Sequence, residues 1–163
     1  MNIFVVNRHP ITAARDLCDK HCVKMILETA QLLCAAHPKG TAPYKQTHMK
    51  HPCTIWTSAS LQNYIWLYRH GIALEYEYER RYGRTHKSME VLVWCGINLP
   101  SLPDIGLTPF AQAMPEQYKD ADPVVAYRRY YLGDKSRIAK WNHSDVPEWY
   151  ATKNPMLGLE VMA

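Results

Sequence analysis

The sequence predicts an all-α fold, a compact single-domain helical bundle spanning residues 1–163, and three observations predict it. Long proline-free stretches carry apolar residues at helical spacing, and prolines and glycines gather between those stretches. The one strand-like piece is the short apolar run at the N-terminus, MNIFVV, which reads as a single buried strand or extended segment. At 163 residues the chain is long enough to bury a core, and no internal repeat or linker divides it.

The elements follow in order. Pro10 and Thr12 mark a first short helix to about Leu17, with Thr12 as its cap. Asp19 caps a longer helix, DKHCVKMILETAQLLCAA, that ends near the His37-Pro38-Lys39-Gly40 breaker. A polar, basic loop runs from Gly40 to Pro52. From Thr54 to Tyr82 there is no proline, which predicts one long helix or two broken near Gly71. A helix over Ser88–Cys95 follows, then a proline-rich loop from Pro100 to Pro115, then a helix from Pro123 to Lys140 with proline in its first turn. The Trp- and Pro-containing tail is expected to pack back on the body.

Composition excludes several classes. With 47% hydrophobic and 21% charged residues the balance is that of a globular protein, neither disordered nor fibrous. No stretch approaches the ~20 apolar residues of a membrane span. The N-terminus lacks the basic region and cleavage pattern of a secretory signal. Five cysteines, an odd number, are expected as free, mostly buried thiols in a reducing cytoplasm. A net charge of +4 is compatible with a polyanionic partner without requiring one.

The second helix holds the most chemistry. On a wheel of 100° per residue, His21, Lys24, Glu28 and Gln31 share an arc of roughly 80°. Cys22, Val23, Ile26, Ala30 and Leu33 lie opposite. An acid, a cation, an amide and an imidazole in one row can position a substrate or move protons. Taken alone, the same row reads as the wet face of an amphipathic helix, with Lys24 and Glu28 an ordinary i,i+4 pair.

A resemblance gives that row its chemistry. Asp19-Lys20-His21 with Glu28 nine residues after Asp19 resembles the catalytic helix of the phage pyrimidine-dimer DNA glycosylase (phage endonuclease V) family. His51-Pro52-Cys53, opening a long helix, is similar to the family's second helix. Met114-Pro115-Glu116-Gln117-Tyr118-Lys119 and Tyr127-Arg128-Arg129-Tyr130-Tyr131-Leu132-Gly133 resemble elements nearer its end. The resemblance implies an all-α fold, double-stranded DNA as partner and no cofactor. It also implies a reaction in which a chain-terminal α-amine attacks the sugar C1′, expels the base and forms an imine, with Glu28 as the catalytic carboxylate. An α-amine titrates near ~7.7–8.0, so a useful fraction is neutral and nucleophilic at neutral pH. Leu27 and Gln31 stand where the family has arginines. Asn2 is too bulky to favour removal of Met1, which makes the amine of Met1 the candidate nucleophile and Asn2 its neighbour. His21, Lys24 and Gln31 then surround the site.

Basic and aromatic residues elsewhere are candidates for the nucleic-acid surface. These are Lys45, His48 and His51 in the first polar loop, Arg84 and Lys87 in the second, and Arg128, Arg129, Tyr130 and Lys135 in the last helix. Tyrosines interleaved with cations suit a distorted or flipped nucleotide, and equally suit an amphipathic helix with a tyrosine core. Cys18, His21, Cys22, His48, His51 and Cys53 include zinc-ligand types, but no C-x2-C pair exists and Cys22 faces the apolar side. No metal is assigned. Two rival functions stay open: a non-catalytic DNA- or protein-binding module, and a hydrolase acting on modified nucleotides without an imine.

Overall fold

The computed structural model describes residues 1–159, and among them the chain is helical with no β-strand. Helix α1 covers Pro10–Asp16, α2 Asp19–Ala35, α3 Pro52–Ala59, α4 Leu61–Tyr82, α5 Met89–Ile97, α6 Pro123–Leu132 and α7 Glu148–Ala151, with a single 3₁₀ turn at Glu116–Tyr118. Helix α4 is the central rod, packed against α1, α2, α3 and α5. One apolar cluster runs through the molecule from Ile3 to Trp149. Asp16 draws the tail back onto the body: Trp141 donates its indole N–H to the Asp16 carbonyl at 3.2 Å, and Trp149 to its carboxylate at 3.1 Å.

Local chemistry explains where the boundaries differ from expectation. The first helix starts at Pro10 with His9 before it and no side-chain cap, so Thr12 lies inside the helix and caps nothing. Likewise Cys18 is the N-cap of α2, and Asp19 is its first residue. The long helical stretch is broken at Ser60, whose backbone is extended (φ −154°, ψ 145°) and whose hydroxyl accepts from the N–H groups of Gln62 and Asn63. Gly71 breaks nothing. A Cβ there would lie 2.9 Å from Thr29 Cγ2 and 3.0 Å from Leu92 Cδ2, so the glycine is what lets α2, α4 and α5 approach closely. The last long helix ends at Leu132, short of the expected Lys140, where Gly133 (φ −93°, ψ −106°) leaves helical geometry.

The N-terminal run is buried, has no regular secondary structure and pairs with no strand among the described residues. Its backbone is satisfied by side chains and one tight turn: Asn2 Oδ1 accepts from the Ile3 N–H at 2.8 Å, Arg128 donates to the Val6 carbonyl at 2.9 Å, and the Val6 N–H donates to the Phe4 carbonyl at 2.8 Å. Phe4 adopts φ +60°, a conformation unfavourable for a bulky residue, and is nonetheless buried and stacked on His21 at 4.1 Å. That bend directs residues 1 and 2 towards α2.

Three buried histidines, His21, His37 and His70, all pushed down by burial, give the fold a pH dependence, and His21 and His70 are moved furthest. Burial, followed by the charges of Lys135, Lys24 and Lys20, pushes His21 down to about 3. Burial pushes His70 down to about 4 despite its bond to the Pro10 carbonyl. Both lie below the ordinary histidine value, so the unfolded chain binds more protons between pH 6.5 and 4 and stability falls as pH drops through that window. The buried carboxyls Asp16 and Glu75, raised by burial, oppose this at its acid end. Thermal melts should therefore show the midpoint declining by several degrees from pH 7 to 4.5. In His70→Phe the decline should be shallower, and an unchanged slope would assign the effect elsewhere.

Candidate active site

Helix α2 carries the central acid. Its row divides once folded: Lys24 stays exposed, Glu28 is turned into a pocket with its side chain 12% exposed, and His21 is buried. Gln31 is half-buried and lies off the pocket lining. Val23 and Leu27, by contrast, are exposed, so the apolar face is narrower than the wheel implies and excludes Val23. His21 Nδ1 is 2.6 Å from the Tyr131 hydroxyl, and the low value to which burial drives the ring keeps it neutral. It therefore serves as a fixed polar wall and not as a group that changes charge near pH 7.

Glu28 meets the chain terminus. Its Oε2 accepts the Asn2 N–H at 3.0 Å and lies 3.8 Å from the Met1 amine, while Oε1 is 3.6 Å from Lys24 Nζ. The terminus is anchored there: Asn2 Nδ2 donates to the Ala113 carbonyl at 2.7 Å. From the other side comes His51, N-cap of α3, whose Nδ1 accepts the Cys53 N–H at 3.1 Å.

These groups open into a cavity of about 420 Å³, roomy enough for a nucleoside-sized group. Met1, Asn2, His21, Lys24, Glu28, His51, Tyr130 and Lys135 all line it, as do Phe4, Met25 and Pro52. Its far wall, Gln112, Ala113, Met114 and Lys119, carried no assigned role in the sequence. That segment has no periodicity to mark it, and only Met114 and Lys119 fall in a motif that the resemblance picked out. Lys135 Nζ sits 5.0 Å from the Tyr130 ring centroid and 5.8 Å from that of Phe4, an aromatic-cation arrangement at the pocket edge. With Lys24, paired with Glu28, and Lys119, paired with Glu116, three lysines line the pocket.

The remaining predicted DNA contacts lie outside this cavity. Lys45, His48, Arg84 and Lys87 are exposed but do not line it. Arg129 is half-exposed and bound to Asp120 at 2.8 Å. Arg128 corrects the sequence reading: it is 3% exposed and its N–H groups go to the carbonyls of Val6, Pro155 and Leu157. With its guanidinium 5.1 Å over the Trp149 ring, it ties the chain ends together and has no face free for a phosphate. A larger cleft of about 930 Å³ lies beside it, between Arg15, Arg80 and the 142–149 segment, away from Glu28.

Among the described residues, no three His, Cys, Asp or Glu side chains converge as metal ligands, and all five cysteines are buried free thiols. Burial pushes the Cys22 and Cys53 thiols up to about 12, which makes both poor nucleophiles. Among the described residues, no helix is long and apolar enough to cross a membrane.

The all-α scaffold thus brings one shielded carboxylate against the Met1 amine inside a pocket lined by three lysines. The particular family follows from comparison with known proteins. The family model described as pyrimidine dimer DNA glycosylase matches residues 1–91, more than half of the chain, and the chain belongs to that family. No curated protein and no solved structure matches the chain.

Proposed function

We propose that this protein excises a damaged or modified base from double-stranded DNA and cleaves the resulting abasic site, with the Met1 α-amine as nucleophile and Glu28 as catalytic carboxylate. The observation that carries the proposal is the placing of both Met1 N, at 3.8 Å, and Asn2 N, at 3.0 Å, against one Glu28 oxygen within a pocket. In the neutral amine, the nitrogen lone pair forms a bond to C1′ as the bond from C1′ to the base breaks. The electron pair leaves with the base, which takes up a proton; the nitrogen then loses one of its two protons, and its lone pair forms the C=N bond of the iminium as the C1′–O4′ bond breaks and O4′ is protonated. Glu28 stabilises the cationic sugar and iminium, passes the proton taken from nitrogen to O4′, and accepts a C2′ proton as the 3′-phosphate leaves in strand cleavage. Lys24, Lys119 and Lys135 hold the flanking phosphates, and Tyr130 offers its ring to an extruded base. The exposed Lys45, His48, Arg84, Lys87 and Arg129 extend the cationic surface beyond the pocket.

Borohydride reduction tests this reading directly. The full-length protein should become covalently joined to a duplex bearing an abasic site, and chemical blocking of its N-terminus should reduce the adduct to background. Base removal that depends on Glu28 but yields no adduct would instead indicate hydrolysis without an imine. Neither activity would leave a DNA-binding module.

A further inference from the structure

Building on the amine mechanism just proposed, we infer that His51 is a positioning residue: its imidazole, pinned on one side by the first turn of α3, holds the Met1 backbone so that the amine faces both Glu28 and the pocket. Three features converge on this. Pro52 confines His51 to extended backbone (φ −70°, ψ 139°), which fixes where the ring starts. Nδ1 accepts the Cys53 N–H, so in the neutral ring the proton resides on Nε2. With Nδ1 so occupied, the Nε2 edge is left for the cavity that the ring lines together with Met1 and Glu28. A neutral imidazole thus bridges a helix cap and the residue that bears the nucleophile.

Several charged groups bear on this ring. They are the Met1 amine from the N-terminal segment, Glu28 and Lys24 from α2, His48 from the preceding loop, and Lys119 and Lys135 from the opposite wall. Burial, then the amine and His48, depress the ring's proton affinity, and Glu28 opposes them. Protonation at acid pH has two consequences. The Cys53 N–H loses its acceptor, and a cation arises beside the amine and beside the cationic iminium it forms. Both disfavour reaction, so His51 steepens the acid limb that protonation of the reacting amine already imposes on the rate profile. A phosphate-contacting histidine would act differently, weakening DNA binding and its salt dependence without altering the rate on bound DNA.

The test follows borohydride trapping on an abasic duplex at saturating DNA from pH 5 to 8, with intact mass confirming which residue is N-terminal. His51→Ala should trap roughly 10–100-fold more slowly with unchanged DNA affinity and salt slope, the size expected when a reacting group is misplaced by about an ångström. His51→Gln, whose amide N–H can donate to the Met1 carbonyl in its place, should recover part of the rate and show only the shallower acid limb of the amine itself. A wild-type trapping rate in His51→Ala, or a loss confined to DNA affinity, overturns the role of His51 and leaves the excision mechanism standing. Active protein lacking Met1 likewise overturns it. Failure of the wild type to trap removes the amine mechanism and this inference together.

Discussion

Glu28→Gln is expected to lower base excision and strand cleavage by roughly 10²–10⁴-fold, the range supplied by a positioned proton-transfer group. The substitution keeps the side chain's shape and leaves a carbonyl oxygen for the Asn2 N–H, which the carboxylate holds at 3.0 Å. What it removes is charge: the ion pairs to the Met1 amine and Lys24, and the anion facing a developing sugar cation. DNA binding should survive and remain salt-sensitive, because the lysines of the pocket rim are untouched and one repulsive anion is gone. Single-turnover excision with titrated binding separates the two effects. A variant within about threefold of wild type in rate would displace Glu28 from the chemistry, since even the low end of general acid–base catalysis exceeds that.

The largest effect on folding is expected at Arg81, whose side chain is fully buried. Its guanidinium donates to Glu77 at 3.1 Å, to Asp19 at 3.2 Å, and to the carbonyls of Leu17 and Arg15 at 2.9 and 2.8 Å. It thereby locks the C-terminal part of α4 to the α1–α2 junction, from which the helix bearing Glu28 departs. Arg81→Met preserves the aliphatic stem but strands a buried carboxylate and two carbonyls. Removing one partner of a buried pair costs about 3–5 kcal/mol, and the low end applies because Arg80 still neutralises Glu77 at 2.7 Å. For a chain of this size the thermal midpoint should drop by roughly 6–12 °C, at about 2–4 °C per kcal/mol. Arg80→Met, at a half-exposed pair, should cost no more than about 1 kcal/mol. Equal midpoints for the two variants would refute this account of the junction.

Much of the acid's setting was legible in the sequence because helical periodicity reports on it directly. His21, Lys24 and Glu28 are spaced by turns of one helix, and folding does bring them to one pocket. Periodicity says nothing about depth, however, so the row could not reveal that His21 goes inside while Lys24 stays out. Arg128 misled for a related reason. In sequence it is one of several cations among tyrosines, and only folding shows it sealed under Trp149 with three carbonyls to serve. The break in the long helical stretch was expected at Gly71, where propensity is weakest. It falls at Ser60 because a hydroxyl cap and the 103–108 loop, whose Gly106 carbonyl accepts the Ser60 O–H at 2.6 Å, stabilise a helix start there. The far wall of the pocket was invisible, since an aperiodic loop reveals its neighbours only once they are in place.

The cavity is assembled from two stretches. The groups paired with the Met1 amine and the Glu28 carboxylate come from residues 1–28, within the matched stretch 1–91, whereas Gln112, Ala113, Met114, Lys119, Tyr130 and Lys135 lie beyond it. The two stretches are stitched together at Ala113, whose carbonyl accepts from Asn2 Nδ2 at 2.7 Å. A main-chain atom makes that stitch, so side chains along the 112–119 loop can be exchanged without cutting it, whereas shortening the loop would drag the first two residues away from Glu28.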